Sequence, residues 1–205
     1  MRADIRFWTA VVIIGMCGFA VARGLGIVQF SVAMANVDTP EQRAEIAKTW
    51  RSVAEVAPTA LRANLAYPID PFDQKAANYR RQTLSTLVSI KPMSSYSWLS
   101  LSNLQLISDQ PMEQVFDSLE LSMLTGPDEE YVLEDRRPYG VSLWQRLPPD
   151  LKRHVANDLA VGRIYDPGKL QALISAQPEE VRNELREALI ANGLSPKEIE
   201  ARLGF

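Results

Sequence analysis

The feature that most restricts this chain is its beginning. Phe7 to Ala22 is an uncharged run, Arg23 interrupts it, and a second uncharged run continues from Gly24 to Val37. Crossing a bilayer takes about 20 apolar residues. Residues 7–28 suffice if Arg23 reaches an interface along its own aliphatic stem. Trp8 stands near the other end, where interfacial aromatics sit. Arg2 and Arg6 precede the span, and no Lys or Arg occurs from Gly24 to Pro40. The positive-inside rule then puts the N-terminus in the cytoplasm and the rest of the chain on the far side. Two other readings stay open, a signal peptide cleaved at Ala33-Met34-Ala35 and a buried core helix.

Charge is divided in the same way. Residues 1–37 carry +2 and the remainder −5, for a net charge of −3 at pH 7. An acidic balance lacks the basic footprint of a nucleic-acid binder, so none is expected as a partner. The chain has one cysteine, Cys17, and one histidine, His154, which precludes an intrachain disulfide and a Cys/His metal cluster. Cys17 reads as a small apolar residue of the span and His154 as part of a polar helix face. There is no Gly-x-Ser-x-Gly elbow, no glycine-rich phosphate loop and no convincing carboxylate pair. Asp70 and Asp73 lack the regular oxygen ladder of a calcium loop. The chain therefore reads as a non-enzyme with no cofactor and no metal.

Two parts are expected, a cytoplasmic stub and anchor over 1–37 and an all-helical domain over 38–205. Thr39-Pro40-Glu41-Gln42 is an N-cap, a proline at N1 and a capping-box glutamine. It opens a helix with Ile46, Trp50, Val53 and Ala57 on one face, ending at Pro58. Tyr67-Pro68-Ile69-Asp70-Pro71 is a connector, after which Asp73 caps a helix to about Ile90. Asp166-Pro167 opens another helix, and Ser195-Pro196-Lys197-Glu198 opens one with a complete capping box. Gly193 fits a helix C′ position after Val181–Ala191. No alternation of period two appears, so the fold class is all-α.

Within the body, Pro92, Trp98, Leu101, Ser102, Val115, Leu119, Ser122 and Pro127 are spaced as in a helix hairpin. The set resembles a tetratricopeptide-type unit at about 93–127, a repeat of about 34 residues in which small residues let two helices approach closely. Trp98, Leu101 and Ser102 take the large, leucine and small slots. Gln105 occupies the next large slot, a mismatch, and the second helix is one residue late. Leu84 and Leu87 with Pro92 resemble the end of a preceding unit, although Arg80 stands where a small residue belongs. After Pro127 the register reaches Leu133, Arg136 and Arg137, where two arginines break it, and Pro138 would kink or end the helix. More weakly, the anchor, Trp98-Leu99-x-Leu101, Asp117 to Ser122, Gly126 to Glu130, Trp144 to Pro148 and Asn157-Asp158-Leu159 together resemble small membrane-anchored accessory proteins of alphaproteobacterial exopolysaccharide and O-antigen systems.

The tetratricopeptide resemblance implies protein–protein binding. The second resemblance implies a place in the inner membrane, a periplasmic body and a membrane-embedded partner in polysaccharide biosynthesis or export. A chaperone-like accessory of cytochrome maturation or secretion is the alternative, and the helical scaffold of a cell-wall lytic enzyme a third, for which no room remains. The candidate partner-binding residues are Tyr79, Arg80, Arg81, Arg136, Arg137 and Tyr139. Arginine grips carboxylates with two parallel bonds and tyrosine offers a stacking face, so an acidic protein or an anionic glycan would suit them. Asp128-Glu129-Glu130 suits a helix N-terminus. Leu194, Ile199, Leu203 and Phe205 form an apolar stripe packed on the last helices.

Overall fold

The computed structural model describes residues 2–37, 39–53, 56–65 and 74–204, and among them there is no strand. The chain is all-α. It divides into two compact units, Met1–Lys91 and Pro92–Phe205. The division falls at Lys91, within the stretch 38–205, and the end of the N-terminal helix packs into the first unit.

The first unit begins with α1 (Arg2–Ala35), whose stretch Val11–Ala35 has a mean hydropathy of 2.2 and is long and apolar enough to cross a membrane. Its last turns are not bare. Phe30, which is 3% exposed, and Met34 pack with Ala47 of α2 (Pro40–Trp50) and with Val56 and Ala60 at and in α3 (Ala57–Leu65). Phe30 meets Trp50 edge to face at 6.0 Å, a favoured aromatic geometry. Thr39 caps α2 as its sequence implies, accepting from the Gln42 N–H. Pro58 does not end α2, contrary to expectation. The chain turns after Trp50, and Pro58 lies in the first turn of α3, where a missing N–H costs nothing. The connector with Asp70, and the cap at Asp73, lie outside the described residues. Next comes α4 (Gln74–Ile90), which packs on α3.

The second unit opens with the hairpin α5 (Ser95–Ile107) and α6 (Met112–Thr125). Leu101, Ser102, Val115, Leu119 and Ser122 are all buried, as the repeat spacing implies. Ser102 does more than leave room. Its Oγ donates to the Val115 carbonyl at 2.8 Å and lies 3.0 Å from the Tyr139 hydroxyl, tying α5 to α6 and to α7 (Glu130–Leu143). Gln105 is buried at its mismatched slot, and its Oε1 has no partner among the described residues. Trp98 is a correction. It is only half-buried, because its Nε1 turns back to donate to the Pro92 carbonyl at 2.6 Å. The tryptophan of the core is Trp144, in a single 3-10 turn, Trp144–Arg146, after α7.

Four further helices complete this unit, α8 (Pro149–Ala160), α9 (Pro167–Ser175), α10 (Glu179–Ala191) and α11 (Pro196–Leu203). Asp166 caps α9 and Ser195 with Glu198 forms the full capping box of α11, as expected. Gly193 follows α10 with φ +92°, where L side chains are strained. Ile199 and Leu203 are fully buried and Leu194 packs beside them; Phe205 lies outside the described residues. α7 runs through Pro138 without stopping, although the ring deprives the Glu134 carbonyl of its helical donor. The two residues before Pro138 bind α7 to its neighbours and offset that loss.

Candidate binding surface

The arginines expected to grip a partner are inside. Arg136 is 0% and Arg137 1% exposed. Arg136 forms a two-bond pair with Asp158 of α8, Nε–Oδ2 2.6 Å and Nη2–Oδ1 3.0 Å. Its remaining N–H groups go to the carbonyls of Ser122 (2.8 Å), Gly126 (3.1 Å) and Pro127 (3.2 Å), at the end of α6. All five guanidinium donors are thus used. Arg137 donates to the carbonyls of Asp158 (2.8 Å), Val161 (2.7 Å) and Arg163 (2.9 Å), and to Glu134 Oε1 at 2.9 Å. Arg202 also reaches the Val161 and Gly162 carbonyls.

The physical reason is common to both. The last carbonyls of a helix lack intrahelical donors and carry partial negative charge, and a cation there satisfies both. Arg136 caps α6 and Arg137 caps α8. The same solution recurs in the first unit, where Arg80 donates to the Leu65 carbonyl ending α3 and Arg43 donates twice to the Val37 carbonyl just after α1. Burial lowers the Arg137 pKa from its ordinary value, and Glu134 and Asp158 oppose the shift. Burial likewise pushes the Asp158 carboxyl up, against the pull of its bonds to Arg136.

Of the other candidates, Tyr139 is half-buried against Ser102, and its phenol is raised mainly by burial. Tyr79 is exposed on α4, with Arg80 and Arg81 half-buried beside it. Tyr79, Arg80 and Arg81 belong to the first unit and Arg136, Arg137 and Tyr139 to the second, so within neither unit do the six line one groove.

The exposed aromatic surface of the second unit is elsewhere, around the start of α7. Tyr131, 63% exposed, lies 6.2 Å from Tyr96 of α5, ring centre to ring centre, at an angle of 38°. The residues next to them in sequence pack closely, since a Cβ on Gly126 would come within 2.6 Å of Ser95 and 2.8 Å of Glu129. Glu129 accepts from the Tyr131 hydroxyl at 3.0 Å and from Ser95 Oγ. The next carboxylate, Glu130, accepts from the Tyr165 hydroxyl at 2.7 Å, and the Arg163 guanidinium lies 5.2 Å over the Tyr165 ring. Accepting that bond, Glu130 holds the Tyr165 phenol above its ordinary value. The acidic residues do begin α7, as their sequence suggests, and they also orient two tyrosines. The sequence signal was present but weak, since Tyr96 and Tyr131 fall on faces opposite the buried stripes of α5 and α7.

Compared with family models, with curated proteins and with solved structures, the chain matches none. The surface is thus read on its own chemistry. Rings fixed by carboxylates suit apolar contact and stacking at low entropic cost, with charge nearby to select a cationic neighbour.

Proposed function

We propose that this protein is a single-pass, membrane-anchored adaptor, with its N-terminus in the cytoplasm and its helical body in the periplasm. In this reading it holds protein partners of an envelope assembly, and the sequence resemblance suggests polysaccharide biosynthesis or export. The observation that carries the proposal is the bare apolar surface of α1, continuous with a helix end that is folded into the first unit. Burying Phe30 and Met34 also favours retention of the segment. Cleavage at Ala33-Met34-Ala35 would remove both from that cluster and would require a helix to open for the peptidase. Tyr96, Tyr131 and Tyr165 supply the partner face, in place of the arginines.

Fusion of alkaline phosphatase to the C-terminus tests the topology. Active phosphatase and an inactive cytoplasmic reporter at the same position support it, and the opposite pattern overturns it. For the adaptor role, photo-crosslinkers at Tyr96 and Tyr131 should trap a reproducible membrane protein. Failure to trap one, with a monomeric purified chain, would count against the adaptor reading.

A further inference from the structure

A crevice of about 150 Å³ opens between α1 and the turn joining α2 to α3, lined by Phe19, Ala22, Arg23, Gly26, Val53 and Val56. Five of its six walls are apolar or small and the sixth is a cation. We propose that it binds a phospholipid of net negative charge, with the Arg23 guanidinium on the phosphate and the first acyl methylenes against Phe19, Ala22 and Val53. The inference rests on the anchor reading above.

Position along α1 is the first argument. The side chains of Trp8, Ile14, Met16, Phe19 and Val21 are exposed. Further along, a Cβ on Gly26 would stand 3.5 Å from Val56 Cγ2, and Phe30 is buried. At 1.5 Å per residue, Trp8 and Arg23 are about 22 Å apart along the axis. The hydrocarbon slab is about 30 Å thick, and an arginine stem spans several ångströms more, so its head lies among lipid headgroups when Trp8 marks the opposite interface.

Charge complementarity is the second. Arg23 makes no hydrogen bond or ion pair with the described residues, unlike the helix-capping arginines. It is exposed at the mouth of a trough that water would fill poorly and an acyl chain would fill well. Its planar fork matches phosphate oxygens. Because Ala22 and Gly26 carry little or no side chain, the trough stays open beside that fork.

The full chain would be reconstituted in phosphatidylcholine vesicles with or without phosphatidylglycerol, extracted in mild detergent and measured by native mass spectrometry. Wild type should retain phosphatidylglycerol in preference to phosphatidylcholine. Arg23→Gln, which removes the charge, and Ala22→Leu, which fills the trough, should each weaken retention about tenfold. Both variants should keep wild-type helicity and resist carbonate extraction from membranes. Equal retention of the two lipids, or wild-type retention by either variant, overturns the proposal while leaving the anchor standing. Release of the wild-type chain by carbonate overturns the anchor itself, and this inference with it.

Discussion

Replacing Arg136 by methionine removes a buried cation and little volume. Asp158 would be left 4% exposed with an uncompensated carboxylate, and the carbonyls of Ser122, Gly126 and Pro127 would each lose a donor. Breaking a buried pair from one side costs about 3–5 kcal/mol. An unsatisfied buried carbonyl costs about 1–3 kcal/mol, part of which water entering the gap would recover. The expected loss is therefore about 4–6 kcal/mol, against the 5–15 kcal/mol that holds a typical domain. Arg136→Lys keeps the charge but not the fork, and should lose about half as much. Removing both charges, as Arg136→Met with Asp158→Leu, should recover at least about 2 kcal/mol of the single-variant loss, because a dry apolar pair replaces an orphaned ion. Urea titration in mild detergent, with the other tryptophans changed to phenylalanine so that Trp144 alone reports, measures each step. A cost for Arg136→Met below about 1 kcal/mol would refute the reasoning, since that is what a solvated surface arginine gives.

Other outcomes follow from the same contacts. Gly126→Ala places a methyl 2.6 Å from Ser95 and should cost about 1–3 kcal/mol by the same titration. Ser195→Ala removes the cap of α11 and should cost about 1 kcal/mol, with faster amide exchange confined to that helix. Glu184, bound by Lys152 at 2.6 Å, has its carboxyl held below the ordinary value chiefly by that bond. Its contribution is complete above the unfolded carboxylate range, near pH 4.5, and is lost as pH falls through the lowered value. Wild type and Glu184→Gln should therefore differ in urea midpoint at pH 6 and converge toward pH 3. Tyr96→Ala with Tyr131→Ala should leave stability within about 1 kcal/mol of wild type yet abolish crosslinking to the partner from a photo-crosslinker placed at the exposed Tyr165; undiminished crosslinking from that position would remove the Tyr96–Tyr131 face from the adaptor proposal.

The sequence by itself determined those features whose physical cause lies within a turn or two of chain. Thr39, Asp166 and Ser195 begin helices because each reaches an N–H three residues ahead. The buried stripe of Val115, Leu119 and Ser122 follows from helical periodicity. A long apolar helix over Val11–Ala35, interrupted by Arg23, follows from the run of uncharged residues there. Only the tertiary structure decided the fate of the arginines. The carboxylate that pairs with Arg136 is 22 residues away, and the carbonyls it caps belong to another helix, so nothing local marks it as buried. A cation is exposed by default, because desolvation is costly. It goes inside only where several helix ends and a carboxylate converge on one point, and that convergence is a property of packing. Exclusion of the arginines leaves the tyrosines of α5 and α7 at the surface, and their pairing across two helices was equally beyond any local rule.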